Sequence, residues 1–333
     1  MTVALSDLLA TARVVALPLA TRFRGIDTRE ALLLEGPAGW TEFSPFVEYD
    51  DEEAAAWLRA TLDFGWREPF LPPSAPARIR VNATLPAVDA DAVEAVLARF
   101  PGCRTVKVKV AEEGQELVDD VARVSRVRDY LGPDGRIRVD ANGGWNLDEA
   151  EHAIHALAGF DLEYVEQPCS TVDELAQIRK RVKYMGIPIA ADESVRKAED
   201  PVAVARAKAA DILIIKAQPL GGIEHALEII EQAGLPVVVS SALDTSIGLS
   251  MGAYLAASIP GGLTYDCGLG TAALLAADVT DSPLLPVDGQ IDVRRLQVSE
   301  TLLTRHAAPD DRRDWWLARL RRVHALLDRS NAR

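Results

Sequence analysis

The sequence predicts an α/β protein: a parallel (β/α) barrel of modified TIM-like type, with an N-terminal α+β capping domain that a C-terminal helix completes. Three observations lead there. Residues 1–75 carry three short apolar runs and one helical stretch; from Arg78 onward eight apolar runs alternate with Ala/Leu/Glu-rich stretches; and charged side chains recur at the ends of those runs at nearly even spacing. The expected division is a capping domain over 1–75, a barrel over 76–285 and a segment over 286–333 that packs back onto the cap.

Composition is compatible with this. A chain of 333 residues, 48% of them apolar, can bury one large core and is long enough for a second, smaller unit. With 36 Lys and Arg against 50 Asp and Glu the net charge is −14, a field that repels nucleic acid and anionic membrane. Cys103, Cys169 and Cys267 are widely spaced without a CxxC, as in a protein with reduced, mostly buried thiols. Asp7 precedes any positive residue, and no long apolar run ends in a small-residue cleavage site, so a cytoplasmic chain without signal peptide or membrane span is expected.

In the small domain, apolar runs at Ala12–Leu17, Glu30–Leu34 and Trp40–Phe43 are separated by Gly25 and by Gly36-Pro37-Ala38-Gly39, which suggests a three-stranded meander. Asp50 and Asp51 supply an N-cap and a favourable first-turn charge for a helix over Glu52–Leu62. Between the first two runs, Thr21–Gly25 reads as a loop in which Arg22 and Arg24 flank Phe23. Both arginines are candidates for gripping a substrate carboxylate, because the guanidinium fork matches that anion. Pro69 to Pro76 read as the linker.

The barrel runs are Ile79–Ala83, Thr105–Val110, Ile137–Val139, Leu162–Val165, Ile187–Ala190, Ile212–Ile215, Val237–Val239 and Leu263–Tyr265. The tail, Asp311–Asp328, places Trp316, Leu320, Val323 and Leu327 on one helical face, with six arginines between Arg312 and Arg329; in so acidic a protein it reads as a helix packed on the small domain.

Thr105–Val110 reads TVKVKV. Its three valines share one face and Lys107 and Lys109 the other, roughly 7 Å apart by strand geometry. Alone, such a strand also suits a sheet edge guarded by lysine. Downstream, however, Asp140, Glu166, Asp192 and Lys216 follow the next four runs at separations of 26, 26 and 24 residues, one βα repeat each, and Ser240-Ser241 follow the seventh. The C-terminal ends of parallel barrel strands open on one mouth, so these groups meet there. Three adjacent carboxylates without histidine or thiolate repel one another unless a hard cation lies between them, and oxygen-only ligation suits Mg²⁺ or Mn²⁺.

VKVKV, VDANGGW (Val139–Trp145), EQP (Glu166–Pro168), ADES (Ala191–Ser194) and IIKAQPLGG (Ile214–Gly222), in this order and spacing, resemble the enolase superfamily, specifically its muconate-lactonizing subgroup. The resemblance covers almost the whole chain; TRFRG, GWTEFSPFVEYDD (Gly39–Asp51) and SSALDTSIG (Ser240–Gly248) narrow it within the subgroup. It implies Asp140, Glu166 and Asp192 as metal ligands and Lys109 as the acid–base lysine, faced by Lys216 across the substrate. Lys107, Asn142 and Glu193 would stand behind them, and Arg22, Arg24, Ser240, Ser241 and Gly268 would contact a small anionic substrate.

The chemistry so implied is abstraction of a proton α to a carboxylate, with Mg²⁺ or Mn²⁺ stabilising the enediolate, followed by syn loss of a β-hydroxyl as water to leave an aromatic ring. His152, His155 and His225 fall in helical stretches and His306 and His324 in the tail, so no histidine answers for a base, unlike the mandelate-racemase branch. Racemization of N-succinylamino acids, dipeptide epimerization and muconate cycloisomerization use the same kind of site, and a non-catalytic metal-binding barrel is a reading of another class. One sequence leaves these, and the oligomeric state, open.

Overall fold

The computed structural model describes residues 3–196 and 200–331. Arg13–Phe23 (β1), Ile26–Gly36 (β2) and Gly39–Phe43 (β3) form the expected antiparallel meander, preceded by a short helix, Leu5–Thr11 (α1), that the sequence pattern did not announce. Thr21–Phe23, read as loop, instead continue β1. Only Arg24 and Gly25 make the turn: Phe23 pairs with Ile26, and the two turn residues have φ of 51° and 75°. A two-residue hairpin turn demands this left-handed pair, which glycine adopts freely and arginine only under strain.

Asp50 caps the helix Asp51–Trp66 (α2) by accepting from the Glu53 amide at 2.7 Å, and Trp57, Leu58 and Leu62 are buried along it. The C-terminal helix Asp310–Asn331 packs on α2, with Trp316, Leu320, Val323 and Leu327 all buried. Glu30 on β2 fastens it. Arg312 donates to both Glu30 oxygens at 2.7 and 2.6 Å, and Trp316 Nε1 donates to Oε2 at 2.9 Å. Burial pushes the Glu30 carboxyl up, but the hydrogen bonds from Arg312 and Trp316 outweigh it and hold the group below its ordinary value of 4.5. Such a group contributes stability above the unfolded value and loses it as pH falls through the folded one. Glu30→Gln should therefore lower the melting temperature by a few degrees at about pH 7, with the gap to the wild type narrowing as pH falls below the ordinary carboxyl value of 4.5. A gap independent of pH would show that charge is not the tie.

Seven parallel strands form the barrel sheet: Ala83–Leu85, Thr105–Lys109, Arg136–Asp140, Leu162–Glu166, Ile189–Ala191, Ile212–Ile215 and Val237–Val239, each bonded to its neighbour in chain order. The sequence misplaced both ends of the ring. Ile79 and Arg80, read as the start of the first strand Ile79–Ala83, belong instead to Arg78–Arg80, which pairs antiparallel with Gln290–Asp292 outside the barrel. Leu263–Tyr265 are not a strand; closure comes from parallel bridges of Cys267 to Val81 and Gly268 to Ser240. The Gly261-Gly262 turn, both φ at 80°, shifts the pairing onward, and Tyr265 meets Tyr164 edge-on at 6.3 Å.

The capping sheet is bolted to this ring. Glu42 on β3 accepts from Thr245 Oγ1 at 2.5 Å and from the Thr245 and Gly248 amides at 3.1 Å each, at the start of the helix Ser246–Ser258. The approach explains Gly248: a Cβ there would lie 2.8 Å from Glu42 Oε2 and 2.6 Å from Gln218 Nε2. No helix among the described residues is long and apolar enough to cross a membrane, and all three cysteines are free thiols, Cys169 and Cys267 buried and Cys103 partly so.

Candidate active site

Strand register assembles the mouth. Lys109 pairs with Asp140 and Asp140 with Glu166 across three strands; Glu166 pairs with Ala190, so Asp192, two residues on, faces the same way. Lys216 directly follows the sixth strand, four positions round an eight-membered ring from Lys109 and so on the opposite wall. All six groups, Lys107 included, are buried.

Their contacts are direct. Lys107 Nζ donates to Glu166 Oε1 at 2.9 Å and lies 3.0 Å from Asp140 Oδ2; Lys109 Nζ donates to Asp140 Oδ2 at 2.5 Å and Asn142 Oδ1 at 2.6 Å; Lys216 Nζ donates to Asp192 Oδ2 at 2.6 Å. Asn142 Nδ2 donates to Glu193 Oε1 at 3.2 Å. Burial drives the Lys109 ammonium downward in pKa, Asp140 works against this, and neighbouring Lys107 adds to the lowering; the net shift is down, as a base requires. Lys107 goes the other way, since Asp140 and Glu166 outweigh burial. Burial would raise Asp140, but Lys107 and Lys109 hold it well below its ordinary value. Glu166 is pushed up to about 8 by burial and by Asp140 beside it.

The expected meeting of three carboxylates at one point is not seen as such. Among the described residues no three His, Cys, Asp or Glu side chains stand as a ready cage, because each carboxylate takes the nearest ammonium. The donor set nevertheless fits a hard cation. Glu166 Oε2 and Asp192 Oδ1 are buried without a hydrogen-bond partner, although Arg196 Nε lies 3.3 Å from the latter. Asp140 and Glu166 face Lys107, Asp140 also meets Lys109, Asp192 meets Lys216, and Glu193 meets Arg196, so carboxylates and cations alternate around the mouth.

Of the expected substrate contacts, Arg24, Ser240, Ser241 and Gly268 line the mouth, with Phe23, Phe46 and Thr271. Arg22 does not join them. It pairs with Asp27 at 3.6 Å, both exposed, because neighbours along a strand point to opposite faces and Phe23 takes the inward position. The Phe23 ring centroid lies 5.5 Å from Lys109 Nζ. Ser241 Oγ donates to the Gly268 carbonyl at 2.8 Å. A larger cavity, about 900 Å³, lies between the linker and the barrel's outer helices and holds none of the strand-end groups. None of the histidines lines the mouth.

Sequence reasoning missed three supports. Gln167, in the quoted EQP, accepts from the Asp192 amide at 2.9 Å and donates to Ser194 Oγ at 2.7 Å, from a strained φ of 40°. Arg196 donates to Glu193 at 2.6 Å and to Tyr49 Oη at 3.0 Å, tying the cap to the site. Neither Arg196 nor Tyr49 carried a spacing signal, since their meeting is long-range.

Comparison with known proteins agrees. Residues 88–297 match the family described as Enolase C-terminal domain-like and residues 14–65 the one described as Enolase N-terminal domain-like. The o-succinylbenzoate synthase of Mycolicibacterium smegmatis is 52% identical over 97% of this chain and 98% of its own. That of Thermobifida fusca is 54% identical over 88% and 90%. Among solved structures, the L-Ala-D/L-Glu epimerase of Bacillus subtilis superposes with a TM-score of 0.72 at 23% identity, covering 86% of this chain and 96% of that one. The muconate lactonizing enzyme of Pseudomonas putida gives 0.73 at 21%, covering 89% and 98%; at such identities these two speak for the fold alone. The chain belongs to the o-succinylbenzoate synthase family of the enolase superfamily.

Proposed function

We propose that the chain catalyses the reaction of that family, the syn dehydration of 2-succinyl-6-hydroxy-2,4-cyclohexadiene-1-carboxylate to 2-succinylbenzoate on the route to menaquinone. The observation that carries the residue roles is the buried pair Lys109 and Lys216 on opposite walls of one mouth, of which Lys109 has the lowered ammonium. Lys109 takes the α-proton and returns it to the β-hydroxyl, which leaves as water; because the elimination is syn, one base serves both steps. The Lys216 Nζ, held by Asp192 on the opposite wall, faces the negative charge that develops. Asp140, Glu166 and Asp192 would hold Mg²⁺ or Mn²⁺, which when bound supplies Lewis-acid stabilisation at the substrate carboxylate. Asn142 and Glu193 orient Lys109 from behind, and Phe23 covers it from water. Arg24 receives a substrate carboxylate; Ser240, Ser241 and Gly268 shape the opposite rim.

Racemization, epimerization and cycloisomerization are not favoured, since the relatives reported above, at about half identity over most of the chain, are named o-succinylbenzoate synthase. The test is an assay of the purified protein with the cyclohexadiene and with N-succinylamino acids. Lys216→Arg keeps a cation and removes any practical base, so it should retain some dehydration and lose all racemization. Racemization by the wild type at a rate rivalling dehydration would overturn the assignment.

A further inference from the structure

We propose that Arg123 is a positioning residue for the dehydration: its guanidinium, buried behind the mouth, fixes the strand end from which Lys109 projects. The inference deepens the reading above, since it rests on Lys109 as the base.

Arg123 stands on the helix Leu117–Leu131, which follows the strand Thr105–Lys109. Arginine on an outer barrel helix ordinarily faces water, yet Arg123 is 0% exposed and its neighbour Asp120 only 2%. Nη1 donates to the Lys109 carbonyl at 3.0 Å and to Asp120 Oδ1 at 2.7 Å, Nε to the Val88 carbonyl at 2.6 Å, and Nη2 to Gln115 Oε1. Asp120 Oδ2 accepts from the Ala111 amide at 3.0 Å. One ion pair therefore holds the chain on both sides of Val110, the carbonyl before it through Arg123 and the amide after it through Asp120.

This bracket falls where the sheet stops supplying bonds. On one side Lys109 pairs with Asp140, and the Val110 amide donates to the Asp140 carbonyl at 3.1 Å. On the other, the ladder to the first barrel strand ends at Leu85 opposite Val108, and that chain departs through Pro86. The same guanidinium ties down the departing loop, directly at Val88 and through Gln115, whose Nε2 donates to the Ala87 carbonyl at 2.9 Å. Ala111 then takes a φ of 60°, a left-handed conformation that alanine keeps only where its surroundings hold it.

A four-carbon stem magnifies any tilt at its root. Asp140 and Asn142 hold Nζ at the far end, but the direction in which the stem sets out follows the Lys109 peptide. A displacement of about 1 Å at a reacting group can cost about 10²-fold in rate. Substrate binding draws on Arg24 and the Ser240–Gly268 rim instead, so loss of Arg123 falls on kcat and spares KM.

Arg123→Met alone would strand Asp120 as a buried, unpaired carboxylate and threaten folding. The test therefore uses Arg123→Met with Asp120→Asn, which removes both charges and leaves an oxygen for the Ala111 amide. Calorimetric titration of the Mg²⁺-loaded variant with 2-succinylbenzoate counts the intact sites, so an unfolded fraction is not mistaken for slow chemistry. Per intact site, kcat should fall about tenfold to a hundredfold, with KM and product affinity within about threefold of the wild type. Gln115→Leu is the control: Gln115 is half-buried, and its loss leaves the Lys109 contact in place, so kcat should stay within about twofold. Wild-type kcat per site in the double variant would overturn the inference, as would an equal loss of kcat in Gln115→Leu or a loss confined to KM. A wild-type protein that fails to dehydrate the cyclohexadiene, or a Lys109→Met variant that still does so, would instead remove the functional reading on which the inference stands.

Discussion

Lys109→Met is expected to lower kcat by about 10³-fold or more, the upper range for loss of a general acid–base group. Methionine retains an unbranched apolar stem beneath the Phe23 ring, so packing changes little. The ammonium that meets Asp140 and Asn142 is lost, and with it the only acceptor for the α-proton in the proposed scheme. The aromatic absorbance of the product measures turnover, and exchange of the substrate α-proton in D₂O measures abstraction alone. Both should vanish together if one base serves both steps. Exchange that survives while dehydration is lost would assign abstraction to another group, with Lys216 the first suspect. Circular dichroism separates this from unfolding, a necessary control because the buried Asp140 would keep Lys107 and the Asn142 amide and lose its Lys109 partner.

Removal of divalent cation is the second large effect. Treatment with a chelator should abolish turnover, and Mg²⁺ or Mn²⁺ should restore it, since the site offers only oxygen donors. A readout independent of turnover is available, because a ligand that binds only the folded state raises its stability by about 2.7 kcal/mol at a hundred times its dissociation constant. The wild-type melting temperature should therefore rise with added Mg²⁺. Glu166→Gln, which halves the carboxylate oxygens at a buried position beside Asp140, should lose most of that rise. An unchanged melting temperature over millimolar Mg²⁺, with turnover insensitive to chelation, would remove the cation from the assignment of Asp140, Glu166 and Asp192.

Much of this site was legible because a barrel converts sequence period into geometry. One βα unit advances one strand, so charged residues at matching intervals reach one mouth, and Lys109, Asp140 and Glu166 do stand in register. The two closing strands were misread for the complementary reason. Apolar composition marks a segment as buried without saying which partner buries it, and Arg78–Arg80 found Gln290–Asp292 instead of the ring. Arg22 and Arg24 could not be told apart in sequence, because the turn that separates them depends on how the chain pairs across Phe23 and Ile26.

The sequence by itself determined the two-part α/β architecture, the order of the strand-end groups and the lysines and carboxylates that share the mouth. These follow from periods of two and of one βα repeat, which are local or nearly so. Only the tertiary structure decided that Lys109 and not Lys107 is the lysine with the lowered ammonium, since the sign depends on burial set against Asp140 and Glu166 at distances no spacing encodes. It alone brought Glu42 to Gly248 and Tyr49 to Arg196. Contacts between segments far apart along the chain are set by how two domains dock, and docking is a property of folded surfaces.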